Sequence, residues 1–512
     1  MPHDNRAIIA EADPRPVERR LASTVGLAAL VIGLAAAWYY AQAGLTLSHY
    51  DARAHLVVAR RIVDSLTPGW VQIGAVWLPL PHLVNMPIVQ WDWAYRTGYP
   101  STLLSVALMA VGLAALAATL WRLTRAWPAA VAAPLLILLN PNVLYLQSTP
   151  MTEPMLFGLA LVALWCVTRW VQGEGRGSAM PAAAALAALT LTRYEGWFVA
   201  GALVLIAGAA LWRQGAWRVW PLALGIGAAV GGFLLLSKGS TGVWFVTSGF
   251  YEPDPALRHQ LGDVSRRVWD GTGALGGSAV RLAGLLGALV CVVAVGRARA
   301  VQALPLALLA AAALPLYAFF EGHPFRIRYM VPIVVACGAL AAMALSRLPR
   351  RLQAVSAALL VVAAVWQRPP LDAKAAMVLE AQWETPYRLA RQEVTAFLTR
   401  EWDGTPILAS MGSLGHYMQE ASHAGFGIAD FVHEGNGEIW ASARERPAAY
   451  VNWVLIEERA EGGDELAARA RRNAAYLERL VRVAEGGGVA LYRRVDAAPE
   501  GDEIRSARGS RY

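Results

Sequence analysis

The sequence predicts a polytopic α-helical membrane protein with a small soluble α/β domain after its last span. Three observations predict it. Apolar residues make up 56% of the 512 and charged ones only 16%, a balance that suits burial in lipid rather than one large water-excluding core. The apolar residues come in runs of roughly 17–25, the length that crosses a hydrocarbon layer. From about Gln367 onward the composition turns soluble, with helical and strand-like stretches intermixed.

The net charge is +8, but the arginines lie between apolar runs, as an orientation signal does and a nucleic-acid patch does not. Nucleic acid is therefore excluded as a partner. Cys166, Cys291 and Cys337 all fall inside apolar runs, where they act as small hydrophobes without a disulfide or metal framework. Arg19 and Arg20 precede about twenty apolar residues with no cleavage site, which predicts a retained helix rather than a signal peptide.

In chain order, residues 1–20, with Arg6, Arg15, Arg19 and Arg20, read as a cytoplasmic tail, and Leu21 to Ala43 as the first span outward. Residues 45–100 form a long outer loop rich in Trp, Pro and His. Within it, Ala52 to Leu66 alternates Leu56, Val57, Ile62 and Val63 with Arg53, Arg60, Arg61 and Asp64 at helical spacing. That pattern predicts an amphipathic helix lying on the outer surface. Further spans near 101–121, 128–146, 155–170, 181–192, 197–212, 221–237, 278–295, 301–319, 330–345 and 354–366 bring the total to about eleven. Every second connection is short and basic: Arg122 and Arg125; Arg169 and Arg176; Arg213 and Arg218; Arg297 and Arg299; Arg347, Arg350 and Arg351. By the positive-inside bias the N-terminus is cytoplasmic, residues 21–366 form the membrane domain, and the 367–512 domain lies outside the plasma (inner) membrane. In that domain Pro386 to Trp402 and Glu465 to Arg482 read as helices. Pro406 to Ser410, Tyr450 to Ile456 and Gly488 to Arg493 read as strands. Gly486-Gly-Gly488 reads as a turn rather than a phosphate loop.

The outward loops hold the unusual residues. Asp51, in Leu47-Ser-His-Tyr-Asp-Ala-Arg-Ala-His55, stands just past the first span, where a carboxylate is costly to place without a use. Glu153 opens span four. Arg193 and Glu195 share a tight turn, and Arg326, Arg328 and Tyr329 end the last outer loop. Guanidinium groups grip phosphate through paired hydrogen bonds, and a carboxylate near them serves as a general base or a metal ligand. Such a set suits a substrate that carries both a phosphate and an acceptor hydroxyl. Other readings stand beside this one. Glu153 and Arg193 also make a structural ion pair between two loops. Arg326 and Arg328 also snorkel to lipid headgroups, and Trp70, Trp77, Trp91, Trp93 and Tyr95 also form an interfacial belt, one ring of which could stack on a sugar.

On these residues the chain resembles the GT-C superfamily of integral-membrane glycosyltransferases. Within it the likeness is to the family 39 or 83 type, which includes protein O-mannosyltransferases and the lipid A aminoarabinose transferase. The resemblance covers about residues 21–366. It rests on Ser-His-Tyr-Asp51 after span one, Trp-Leu-Pro-Leu-Pro-His82 before span two, Thr-Glu153-Pro at span four, and Thr-Arg-Tyr-Glu195-Gly with Arg-Tyr329-Met-Val-Pro332 later. It implies a polyprenyl-phosphate-sugar donor, Asp51 as catalytic base, Arg326, Arg328 and Arg193 around the donor phosphate, and His55, His82, Glu153, Glu195 and Tyr329 in support. The acceptor stays open between protein, lipid and glycan. Many relatives carry a second acid beside this Asp, whereas Ala52 follows here. A hard cation wants several carboxylate oxygens, so a divalent cation is left open and no metal ligand is assigned. Two competing classes are a flippase or transporter of lipid-linked sugar, which calls for charges buried mid-span and pseudo-symmetric halves, and an O-antigen polymerase or ligase.

Overall fold

A computed structural model describes residues 15–495 apart from 75, 174–176, 245–252, 298 and 461–462. Arg6, Arg176 and part of the Lys238 to Gly277 loop thus lie outside the described residues. Each apolar run is helical: Arg15–Gln42, Tyr99–Thr124, Trp127–Leu138 with Pro141–Gln147, Glu153–Gln172, Met180–Thr190, Glu195–Ala210, Trp220–Thr241, Leu261–Gly296, Ala300–Phe320, Ile327–Leu345 and Arg350–Gln367. The protein is an integral membrane protein. Among the described residues seven helices are long and apolar enough to cross a membrane, or eight if the Trp127–Leu138 and Pro141–Gln147 pair, bent by 70°, is one span. The sequence predicts about eleven. Met180–Thr190 and Glu195–Ala210 are short, and Arg350–Gln367 dilutes its apolar residues with two arginines and two glutamines.

Two helix breaks set the site's surroundings. Pro141 removes a backbone donor and stops the preceding helix, and Asn140 caps the next one by accepting from Asn142 N at 3.0 Å. Gly277, at φ 77° and ψ 162°, breaks the long Leu261–Gly296 helix. The carbonyls freed there find side-chain donors, as buried backbone groups must: Asn140 Nδ2 and Asn142 Nδ2 donate to Leu275 O at 2.9 and 3.1 Å, and Arg368 Nε to Ala274 O at 2.6 Å.

The C-terminal part holds a five-stranded sheet in the order β2-β1-β3-β5-β4, with β1 (Ile407–Ala409), β2 (Phe431–Val432), β3 (Trp453–Glu457), β4 (Leu480–Gly486) and β5 (Val489–Arg494). β1 runs parallel to β2 and β3, and β5 antiparallel to β3 and β4. Gly487 and Gly488, at φ 57° and 88°, make the tight β4–β5 turn, as glycine allows. One sequence reading needs correction, and one strand was not read. The helix expected from Glu465 to Arg482 ends at Arg472, and its last part is the start of β4. The two-residue β2 carries too short a pattern to be read.

The outer-loop helix also differs from expectation. It spans Tyr50–Arg60 and does not lie on a surface, because eight of its residues, Asp51 and Arg53 among them, are buried. Its Leu56, Val57 and Ala59 share one apolar core with Ile407, Phe431 and Trp453 of the sheet and with Leu414, Tyr417 and Met418 of the Met411–Ala421 helix. The segment before the sheet unit, with Ala375, Met377, Val378 and Ala381, packs instead into the core of the membrane helices.

Those helices approach closely where residues are small, as membrane interfaces require. A Cβ on Gly284 would stand 2.7 Å from Cys337 Cα, and one on Gly287 would strike the Leu340 carbonyl. Gly287→Val should therefore destabilise by about 1–3 kcal/mol and lower the melting midpoint in detergent. Gly231→Ala, where no atom lies within 4 Å, should leave the midpoint unchanged or raise it.

Candidate active site

Asp51 enters through a helix start. His49 is the N-cap, and its Nδ1 accepts from Asp51 N at 3.1 Å. Its Nε2 lies 3.3 Å from Glu380 Oε1 and 3.4 Å from Arg328 Nη1. Asp51 Oδ2 forms an ion pair with Arg328 Nη2, and Arg328 Nε lies 4.0 Å from Glu380 Oε1. Asp51 is 9% exposed and Arg328 7%. Burial alone would push the Asp51 carboxyl up, but the Arg328 guanidinium overrides it and holds the group well below the ordinary carboxylate range.

Arg326 has extended backbone, φ −125° and ψ 109°. Its guanidinium carbon lies 5.9 Å from the ring centroids of both Tyr50 and Trp383. Tyr50 in turn stacks on His49 at 4.8 Å. Arg326 and Arg328 thus reach the same group of rings and carboxylates. Tyr329 stands behind them, its hydroxyl 3.3 Å from His323 Nε2 and its ring stacked on Phe319.

Arg193 belongs to a neighbouring cluster. It pairs with Glu153 at 3.0 Å and Glu195 at 2.9 Å, and donates to Thr152 Oγ1 at 2.9 Å. This is the ion-pair arrangement between two loops, and it leaves Arg193 less of its guanidinium for a phosphate than Arg326 or Arg328. His55 and His82 meet in a third group, with His55 Nδ1 3.2 Å from His82 Nε2. Among the described residues no group of three or more His, Cys, Asp or Glu side chains is arranged to hold a metal ion.

Glu380 was not legible in the sequence. It sits 329 residues after Asp51 in an unremarkable Val378-Leu-Glu-Ala-Gln382 run, and only the packing of Ala376–Ala381 under the first loop brings it in. Met377 N donates to Asn142 Oδ1 at 3.0 Å, and Ser48 Oγ donates to the Ala381 carbonyl at 2.8 Å.

No family model matches the chain, and no curated protein matches it by sequence. Solved structures do. The structure of ArnT from Cupriavidus metallidurans in the apo state superposes with a TM-score of 0.56 at 16% identity, over 92% of this chain and 99% of that chain. The same enzyme bound to undecaprenyl phosphate superposes at 0.53 and 14% identity over the same shares. The chain shares the fold of these two structures. At such identities the likeness concerns the fold alone, and the residues above must give the chemistry.

A second ion network ties the 45–100 loop to the sheet unit. Arg53 pairs with Glu420, which also binds the almost fully buried Arg391 at 3.0 Å, and Arg391 reaches Glu384 at 2.7 Å. Burial raises Glu420, but Arg53 and Arg391 outweigh it and leave the group below its usual range. A depressed carboxylate stabilises the fold above its unfolded pKa, and that contribution is lost as pH falls through the folded one. Glu420→Gln leaves the buried Arg53 without its carboxylate and Arg391 with Glu384 alone, so it should cost about 3–5 kcal/mol. Amide exchange over residues 50–60 should quicken sharply at pH 7. The unsubstituted protein should show the same change only at acidic pH, below the ordinary carboxylate range.

Proposed function

We propose that the chain is a membrane glycosyltransferase that moves a sugar from a polyprenyl-phosphate donor to an acceptor hydroxyl, with Asp51 as general base. The observation that carries this reading is the buried Asp51–Arg328 pair with Arg326 beside it, on a fold shared with an enzyme bound to undecaprenyl phosphate. In the resting arrangement Asp51 is a weak base because Arg328 holds its carboxylate. A donor phosphate offers Arg328 a second anion with matching fork geometry. As the guanidinium turns toward it, the Asp51 carboxyl regains basicity and takes the acceptor hydroxyl proton. The hydroxyl oxygen then bonds to the anomeric carbon, the carbon–oxygen bond to phosphate breaks, and the electron pair leaves on the polyprenyl phosphate. One displacement inverts the anomeric centre. Glu380 and His49 support the site by fixing where Arg328 rests.

The proposal extends to topology. Residues 21–366 form the membrane domain, with 45–100 as its catalytic outer loop, and residues 367–512 lie outside the plasma membrane, with the N-terminus cytoplasmic. The basic connections support this orientation. A reporter that fluoresces only in the cytoplasm, fused after Tyr512, should stay dark; a bright fusion would reverse the sidedness.

Asp51→Asn keeps size and removes basicity, so transfer from lipid-linked sugars should fall by about two to four orders of magnitude, and the melting midpoint should fall as well because Arg328 loses its buried partner. Wild-type turnover by a folded Asn variant would remove Asp51 from the chemistry. Arg328→Lys should raise the Michaelis constant for the donor, because a point charge cannot replace a bidentate grip. An unchanged constant in both Arg328→Lys and Arg326→Lys would eliminate their phosphate role.

A further inference from the structure

The stretch that leads from the Arg350–Gln367 helix to the sheet unit turns apolar residues outward. Leu379 is 55% exposed, Trp383 58%, Tyr387 40% and Leu389 72%. Four large apolar or aromatic side chains thus stay uncovered within eleven residues, in a part of the chain whose composition reads as soluble. Uncovered apolar surface of this kind marks a binding face for protein or for lipid.

Two contacts set the depth of the stretch. The guanidinium carbon of Arg326 lies 5.9 Å from the Trp383 ring centroid, and Arg326 is the residue immediately before the Ile327–Leu345 span. Ser48, six residues past the end of the first span at Gln42, donates from Oγ to the Ala381 carbonyl at 2.8 Å. Both partners stand at the ends of spans, where a bilayer passes from hydrocarbon to headgroups, and Trp and Tyr rings favour that level. The inward side of the same stretch is fixed to the membrane helices: Ala375, Met377, Val378 and Ala381 belong to their core, and Met377 N donates to Asn142 Oδ1 at 3.0 Å.

The charges agree with this placement. Between Lys374 and Leu389 the acids are Glu380 and Glu384, and both are engaged by the protein: Glu380 Oε1 lies 3.3 Å from His49 Nε2, and Glu384 pairs with Arg391 at 2.7 Å. The exposed charges of the stretch are the cations Lys374 and Arg388, which suit lipid phosphates. Apolar exposure then stops. In the rest of the Thr385–Glu401 helix the exposed residues are Gln392, Glu393, Ala396, Thr399, Arg400 and Glu401, a surface made for water.

We infer that residues 379–389 are an interfacial anchor, seated in the headgroup layer of the leaflet on the Asp51 side. Leu379, Trp383, Tyr387 and Leu389 enter the lipid, and Lys374 and Arg388 meet its phosphates. The occupant of this surface is lipid rather than a partner protein, because the exposed rings stand at the level of the span ends. The seat also bears on the site. Leu379 and Glu380 are neighbours on the six-residue Ala376–Ala381 helix, so the depth at which the anchor rests sets where Glu380 meets His49 and Arg328. Such an anchor requires only that the spans are inserted, and it is independent of the transfer reaction.

The test places an environment-sensitive nitrobenzoxadiazole label on single cysteines of the full chain in nanodiscs of phosphatidylcholine and phosphatidylglycerol, with and without doxyl-labelled lipid. Leu379→Cys and Leu389→Cys report on the stretch. Arg400→Cys, about 16 Å beyond Leu389 along the helix, is the control in water. The unsubstituted chain taken through the same labelling gives the background from Cys166, Cys291 and Cys337, and an unchanged melting midpoint shows that each variant is folded. Labels at 379 and 389 should emit to the blue of the label at 400 and lose emission as doxyl lipid is added, while the label at 400 should not respond. Green, unquenched labels at 379 and 389 would put the stretch in water and overturn the anchor. Blue labels that doxyl lipid leaves unchanged would overturn it too, because protein would then cover the surface, and the number of chains per disc would tell a second copy from another partner. Equal quenching at all three positions would also overturn it, since the label itself would then be seeking lipid.

Discussion

The contact between Asp51 and Arg328 joins parts of the chain that have no other reason to meet. It links the first loop after the first span to the head of the Ile327–Leu345 helix, and through Glu380 both join the segment that leads to the sheet unit. A buried ion pair gains little net stability, because desolvating two charges offsets most of their attraction. Its force is conditional: once one partner is buried, the other must be there. The three segments can therefore be assembled only together, and the hydrogen bonds from Ser48 to Ala381 and from Met377 to Asn142 hold the same junction without charge.

The sheet unit repeats this economy of surfaces. An open α/β sheet takes ligands beyond the carboxyl ends of its parallel strands, where strand order reverses. In this sheet β1 lies between β2 and β3, and just past its end the Glu434 carboxylate accepts from Ser410 Oγ at 2.6 Å and Met411 N at 2.8 Å. Arg61 of the outer loop donates to the Met411 sulfur and to the Gln72 carbonyl there, and Gln72 Nε2 donates to the Gly435 carbonyl at 2.8 Å. The crevice that would bind a nucleotide in another protein is filled by the chain itself. In this arrangement the unit clamps the loop that carries Asp51, and its glycines serve turns rather than phosphates.

How much of this the sequence made legible follows from the range of each interaction. Apolar runs, Pro141 at a helix break and the Gly486-Gly-Gly488 turn are local, and their physics is contained in a few neighbouring residues. Asp51 stood out because a carboxylate at a membrane exit is improbable on local grounds alone. The outer-loop helix was misread for the opposite reason. Its arginines looked like a solvated face, yet Arg53 is neutralised by Glu420, 367 residues away, and no periodicity announces a partner at that distance. Glu380 and the pairing of His55 with His82 were hidden in the same way.

Charge balance joins the resting structure to the proposed chemistry. Two guanidiniums, Arg326 and Arg328, stand beside two carboxylates, Asp51 and Glu380. In the proposed transfer the phosphate gains one negative charge when the sugar leaves. Asp51 loses one when it takes the hydroxyl proton. Arg328, shared between them, faces nearly the same total charge at the start and at the end. In a poorly solvated site a step that created net charge would be costly, whereas one that moves charge across a single guanidinium is not. The pair that makes Asp51 a weak base at rest is then what allows it to act as one at the moment the leaving group forms.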